Sequence, residues 1–303
     1  MRNSLQLYYS TLREKNRRLS DKRFAECEKK NPRFASLRTE RGQVVIALAA
    51  GKLTHEQAQS RIASISAERK NLLISLGLPA DYLDPIYTCQ RCRDTGEVGG
   101  LVKKPCACQL RQLQKELKDG ARVNERETFE AFDPSIYPDD EQRRYAIRLK
   151  NYCIRYVEAL PKPEKQNLLL FGNPGTGKSF IGNAIAAAAI DRCIETRKVT
   201  AYRFVQDALD GIQSNTETMA LYTNVPLLVL DDLGTEAMIP NVTGENLFRV
   251  LNERAALRLP TVLITNLPPE SLTERYGERI TSRMTDKAIT ALIPFKGSNL
   301  RVR

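Results

Sequence analysis

The sequence predicts an α/β protein: a parallel sheet with helices on both faces, preceded by a smaller, mostly helical domain that carries a cysteine cluster. Three observations predict it. From about residue 139 onward, apolar runs of strand length alternate with helical runs, which is the pattern of parallel strands joined by crossover helices. One strand–helix junction holds the glycine-rich stretch 171-FGNPGTGKSF-180. Residues 1–78 read as helical, and four of the seven cysteines then fall within the twenty residues 89–108.

The elements follow in order. Residues 4–30 contain no Pro or Gly and predict one long helix, broken by Asn31-Pro32. A second helix is expected over 36–50, ending at Gly51. Thr54-His55-Glu56-Gln57 has the Thr-x-x-Gln form of a capping box and opens a third, which ends near Leu76-Gly77-Leu78-Pro79. His55, the sole histidine, is expected to be a solvated first-turn residue. The polar, Gly- and Pro-broken segment 119-DGARVNERETFEAFDPSIYPDD-140 predicts a boundary near 125, giving domains 1–125 and 126–303. Beyond it we expect a helix at 139–160, strand 167–171, helix 177–190, a strand near 199–205 and a helix near 206–219. Strand 227–230, helix 243–257, strand 261–265, helices over 269–285 and a last strand near 290–295 complete the pattern.

Composition bounds the function. No apolar run approaches the ~18–20 residues of a membrane span, and 1-MRNSLQLYYSTLREKNRRLS-20 lacks the apolar core and cleavage site of a secretory signal. A cytoplasmic chain is expected. Its net charge is +11, of which residues 1–125 hold +10 and 126–303 hold +1. This fits a nucleic acid or acidic protein partner for the front half, or simply a solvated helical surface.

Gly172, four residues, then Gly177-Lys178-Ser179 fits the phosphate-loop pattern. Glycines permit the tight turn between strand and helix. Gly172, Asn173, Pro174, Gly175, Thr176, Gly177, Lys178, Ser179 and Phe180 form the cradle at the positive end of the helix, where inward-pointing backbone N–H groups can hold phosphate oxygens. Lys178 would reach the β- and γ-phosphates of a nucleoside triphosphate and Ser179 would hold Mg²⁺. The bland alternative is a ligand-free glycine turn. About fifty residues on, 226-PLLVLDDLG-234 supplies an apolar strand ending in acids. Asp231 is placed to hold magnesium, mostly through water. Asp232 could orient the attacking water, and being one methylene shorter than Glu it fits slow hydrolysis. Asn266 ends strand 261-TVLIT-265 beside the expected phosphates, although Asn is also an ordinary turn residue. In 278-ERITSRM-284 two arginines four apart share a helix face and could offer an arginine finger or form surface salt bridges.

Cys89-x₂-Cys92, thirteen residues, and Cys106-x-Cys108 supply four soft thiolates. Tetrahedral Zn²⁺ accepts such a set, with 96-GEVGG-100 giving turn chemistry. Disulfides are the competing reading, weakened in a cytosolic chain; a redox CxxC lacks its strand–helix context. Four protein ligands would leave no position open for catalysis, so the zinc would be structural. Cys27, Cys153 and Cys193 stand singly and are expected to be buried or inert.

The set 172-GNPGTGKS-179, 227-LLVLDDLG-234, 248-FRVLNERAALRLPTVLITNLPPESL-272, 278-ERITSRM-284 and 297-GSNLR-301 resembles AAA+ ATPases of the bacterial replicative helicase-loader group, DnaC/DnaI type, close to the IstB-like transposon helpers. The stretch 78-LPADYLDPIYTCQRCRDTG-96 with the later cysteines resembles the Gram-positive loader in particular. The resemblance implies that Asn266 is a sensor, Arg283 an arginine finger acting across a subunit interface, and Arg301 a second sensor. The family's usual Gly-x-Ser-aromatic-Arg tail is here Gly297-Ser298-Asn299-Leu300-Arg301, and Arg279 is an alternative finger. It also implies partners: a replicative DNA helicase gripped by the N-terminal domain, single-stranded DNA bound in the ATP state, and self-association through the trans finger.

Three functions are therefore compared: an ATP-dependent helicase loader, a transposition helper ATPase acting on duplex DNA, and a non-hydrolysing nucleotide-bound adaptor. An initiator would be expected to carry a duplex-reading module after its core, and the sequence ends at Arg303.

Overall fold

Residues 2–100, 102–121, 123–137, 139–214, 218–297 and 299–300 are described by a computed structural model, with side chains from Ser4 onward. The chain divides into two units, up to Leu110 and from Arg111.

In the first unit, α1 (Arg2–Lys30), α2 (Arg33–Ala49) and α3 (His55–Ser75) follow the sequence pattern. Asn31 Oδ1 accepts from Arg33 N at the break. Both halves of the capping box form: Thr54 Oγ1 accepts from Gln57 N, and Gln57 Oε1 accepts from Thr54 N. A small core of Cys27, Phe34 and Leu73, with Phe24, Leu72, Leu76 and Tyr82 around it, holds the helices together. Arg33 donates two bonds to Glu68 across α2 and α3. Strands β1 (Glu97–Val98) and β2 (Lys104–Pro105) pair antiparallel beside the cysteines. Helix α4 (Ala107–Ala121) follows, and the division between units falls inside it.

The second unit is a five-stranded sheet flanked by helices. In chain order it contains a 3₁₀ turn (Pro134–Ile136), α5 (Asp140–Glu158), β3 (Asn167–Gly172), α6 (Lys178–Asp191), β4 (Thr196–Thr200), α7 (Ala201–Ser214), α8 (Ala220–Thr223), β5 (Leu227–Leu233), α9 (Thr243–Ala256), β6 (Thr261–Thr265), α10 (Pro269–Tyr276), α11 (Glu278–Thr285) and β7 (Thr290–Phe295). The strand order is β4-β5-β6-β3-β7, and every pairing is parallel. Alternate strand residues feed two cores. Leu168, Leu170, Val229, Val262 and Ile264 pack with Ile181 and Ile185 of α6 and with α5. Leu169, Leu228, Leu230 and Leu263 pack with α7, α9 and α10 on the other face. Burial on both faces explains why these strands read as continuous apolar runs.

One expectation fails locally. The strand expected near 199–205 ends at Thr200, and the helix expected near 206–219 begins at Ala201. Ala201, Phe204, Val205 and Ala208 are buried at helical spacing, so the aromatic and β-branched run is a helix face and not a strand end. Among the described residues no helix is long and apolar enough to cross a membrane.

Candidate nucleotide site and thiolate cluster

The C-terminal ends of β3, β5 and β6 lie side by side: Phe171 and Leu233 both register with Thr265. Ligands bind at this edge of an open parallel sheet. The loop after β3 turns through Gly172 (φ 133°), and a Cβ there would sit 2.2 Å from Phe295 O. Gly177 adopts φ 95° and opens α6; a side chain at either position would force a conformation that L-residues rarely adopt. The Lys178 ammonium folds back onto its own loop, donating to Gly172 O at 2.7 Å and Asn173 O at 2.6 Å. Thr176 Oγ1 donates to Asn173 O and firms the turn. The loop thus carries the cation that a phosphate would attract.

Ser179 Oγ donates to Asp231 Oδ1 at 3.1 Å, and Asp232 N donates to the same oxygen at 2.9 Å. Asp231 is buried, and burial first, then the neighbouring Asp232 charge, raises its carboxyl above the ordinary value; Lys198 Nζ, 3.9 Å from Oδ2, pulls the other way. A serine hydroxyl converging with a buried carboxylate is the oxygen set that a hard cation takes. The residues present therefore fit Mg²⁺, and Ser179 and Asp231 would hold it. Asp232 is in the left-handed region (φ 57°) and lines the cavity beside these groups.

That cavity, about 430 Å³, is lined by Pro174, Gly175, Gly177, Lys178, Ser179, Phe180, Asp232 and Asn266. Sequence reasoning had all of these. It missed the opposite wall, formed by Glu127, Ala131, Phe132, Asp133, Ile136, Tyr137 and Leu300. Phe132 packs on Phe180 and Tyr137, with ring centroids 6.2 and 6.1 Å apart. The segment read as a polar boundary is thus a cavity wall of mainly apolar and aromatic side chains, with Glu127 and Asp133 among them. The buried Asn183 of α6 fixes it, donating to Asn124 O and Glu127 O and accepting from Asn124 N. The aromatics in 129-FEAFDPSIY-137 were the one signal for this in the sequence. Aromatic and apolar side chains beside a phosphate cradle suit a nucleobase.

The arginines separate. The Arg279 guanidinium lies 3.6 Å over the Phe248 ring and 3.7 Å from Glu245 Oε1. Arg283 is exposed on α11 and does not line the cavity. Arg301 lies outside the described residues, but the tail reaches the loop: Leu300 N donates to Gly175 O at 2.9 Å.

In the first unit the four cysteine Sγ atoms lie within 4.8 Å of one another. Cys89 and Cys106 are 3.9 Å apart and Cys92 and Cys108 3.4 Å, with all four free of disulfides. Tetrahedral ligation at ~2.3 Å sets sulfurs about 3.8 Å apart, so the cluster fits Zn²⁺. A backbone N–H from Cys92 foremost lowers the Cys89 thiol to about 7, while burial pushes Cys108 up to about 12. Cys27 and Cys153 are buried, and Cys193 is half-buried.

Residues 98–303 match the family described as IstB-like ATP binding protein. Among curated proteins, the replicative helicase loader DnaI of Bacillus subtilis is 31% identical over 113 residues, 37% of this chain and 36% of the loader. The chain therefore spans only about a third of that relative's length. The insertion sequence IS5376 putative ATP-binding protein of Geobacillus stearothermophilus is 26% identical over 200 residues, 64% of this chain and 75% of that protein. Among solved structures, AMPPCP-bound DnaA from Aquifex aeolicus superposes with a TM-score of 0.50 at 23% identity, over 59% of this chain and 52% of that one, a likeness of fold alone. The family match takes in the phosphate loop, the acidic strand end and Asn266 in one span of about two thirds of the chain, and on that ground the chain belongs to the IstB-like ATP-binding proteins, with the AAA+-like parallel sheet that the sequence resemblance implied.

Proposed function

We propose that this protein is an ATP-dependent loader that binds the replicative DNA helicase and helps deposit it on single-stranded DNA, acting in the cytoplasm at replication initiation or restart. The observation that carries this reading is the pairing, in one chain, of a phosphate cradle that has its magnesium set in place with an upstream four-thiolate cluster, in a relative of a helicase loader. Residues 126–303 are the ATPase domain. Residues 1–125 are the helicase-interaction domain, stapled by zinc on Cys89, Cys92, Cys106 and Cys108.

When bound, Mg²⁺ neutralises charge on the β- and γ-phosphates. Lys178 would contact those phosphates. Asp232 orients the attacking water and Asn266 reads the γ-phosphate. Arg283 completes the site of a neighbouring subunit, and Arg301 senses from the tail. Hydrolysis is slow and is stimulated by assembly or single-stranded DNA.

The second reading, a transposition helper on duplex DNA, is favoured by the longer match, which spans 75% of the insertion-sequence protein. The test is size-exclusion chromatography with light scattering on the protein mixed with its host's replicative helicase, with and without ATP. A joint complex supports the loader. No complex in either state, with ATP-dependent assembly on duplex DNA, supports the helper. A non-hydrolysing adaptor is disfavoured because Lys178, Ser179 and Asp231 are all in place.

A further inference from the structure

The N-terminal helix α1 and the cysteine cluster meet along one stripe. Tyr9, Arg13 and Asn16 stand four and three residues apart on α1, so their side chains leave the same helix face. Each reaches the cysteine loop. Tyr9, 4% exposed, places its hydroxyl 3.2 Å from Cys108 Sγ. Arg13 donates to Asp94 O at 2.9 Å. Asn16 Nδ2 donates to Asp94 Oδ2 at 2.8 Å and to Thr88 Oγ1 at 3.1 Å.

Asp94 is the hub of that stripe. It is fully buried and adopts φ 57°. Its carboxylate accepts from Thr88 N and from Cys89 N, at 2.9 and 2.7 Å, besides Asn16. A buried carboxylate needs such donors to be tolerated at all. They fix the backbone of the first cysteine pair, so Asn16 acts on Cys89 through Asp94. Gly96 leaves the space into which the Tyr9 ring packs; a Cβ there would sit 2.7 Å from Tyr9 Cε2.

We propose that Tyr9 is an outer-shell donor to the metal-bound Cys108 thiolate and that Tyr9, Asn16 and Asp94 together couple metal occupancy to the docking of α1. This rests on the zinc reading of the four cysteines. A metal-bound thiolate carries no proton, so the Tyr9 hydroxyl must be the donor. Four thiolates on one divalent cation leave a net charge of −2, and a hydroxyl aimed at one sulfur disperses part of it. Removal of an outer-shell partner typically costs 10–100-fold in metal affinity. In the reverse direction, removing the metal frees Cys108 and Cys89 from fixed positions and takes away the platform that α1 grips.

The test uses the full chain, reduced and zinc-loaded. Metal content is measured first, then zinc transfer to a chromophoric chelator for the wild type, Tyr9→Phe and, as a control in the other unit, the exposed Tyr202→Phe. Amide hydrogen exchange over residues 4–30 is compared before and after chelation. We expect about one zinc per chain, zinc affinity lowered ~10–100-fold in Tyr9→Phe and unchanged in Tyr202→Phe, and faster exchange around residues 9–16 once zinc is removed. Zinc held at one per chain, with Tyr9→Phe indistinguishable from wild type and α1 exchange unmoved by chelation, overturns the coupling and leaves the metal site standing. Absence of zinc from folded, reduced protein overturns the metal reading and the coupling with it.

Discussion

Asn183 and Asn124, 59 residues apart, exchange a pair of hydrogen bonds: Asn183 Nδ2 donates to Asn124 O at 2.7 Å, and Asn183 Oδ1 accepts from Asn124 N at 2.9 Å. A third bond runs to Glu127 O at 3.0 Å. The helix that follows the phosphate loop thereby holds the far wall of the cavity. Asn183→Asp keeps the shape but aims a carboxylate at two carbonyls. We predict a stability loss of about 2–3 kcal/mol or more and a weaker affinity for a fluorescent ATP analogue. Denaturant titration and nucleotide titration check both; unchanged nucleotide affinity would detach the wall from the site.

Arg254 is fully buried and, among the described residues, has no carboxylate partner. Its guanidinium donates to Thr261 Oγ1 and to the carbonyls of Tyr222, Thr223, Val225 and Pro260. It ties α9 to the end of α8, to the loop before β5 and to the start of β6. Lysine has too few donors and the wrong fork. Arg254→Lys should cost about 3–5 kcal/mol in denaturant unfolding, with most of it retained in Arg254→Leu because the carbonyls stay unpaired.

The acid at the end of β5 gives a pH prediction. Burial raises the Asp231 carboxyl above its ordinary 3.8, with Asp232 adding to the effect and Lys198 and Ser179 opposing it. The protonated form is therefore favoured in the folded state. Its contribution to stability is full below the unfolded value and is lost as pH rises through the folded one. Asp231→Asn should accordingly leave apo stability unchanged or higher at neutral pH while abolishing magnesium-dependent tightening of nucleotide binding. In the wild type, magnesium dependence should fade on acidification at a pH above that of an ordinary aspartate. Calorimetric titration across pH measures it; fading at the ordinary aspartate range would contradict the buried-carboxyl account.

Arg283 and Arg279 are predicted to differ. Arg283→Ala should retain ATP binding and lose turnover, and mixing it with Lys178→Ala should restore part of the activity, because each chain lacks a different half of a shared site. Arg279→Ala gives up the Phe248 and Glu245 contacts, worth about 0.5–1 kcal/mol at an exposed site, with a smaller loss of turnover. No complementation at any mixing ratio would count against a finger acting in trans.

The parts of this molecule that were legible in sequence are those whose determinants are local. Strand 261–265 and the last strand, 290–295, are apolar runs bounded by turns and stand where expected. The loop glycines, the acid pair and the Thr54 cap are short-range chemistry. Residues 201–205 misled because one helical turn of Ala, Phe and Val looks the same as a strand until its partners are known. The pocket wall at 127–137 was hidden because its anchor, Asn183, sits in an Ala-rich helix and bonds to a carbonyl 59 residues away. The Tyr9–Cys108 contact spans 99 residues and leaves no local trace.

The most direct test of the loader account is deposition of the host's replicative helicase on a closed circle of single-stranded DNA, recovered under salt that strips unthreaded protein. The account predicts helicase on the circle only when this protein and ATP are both present, and none with Lys178→Ala. Equal recovery without this protein, or with Lys178→Ala in its place, would contradict it.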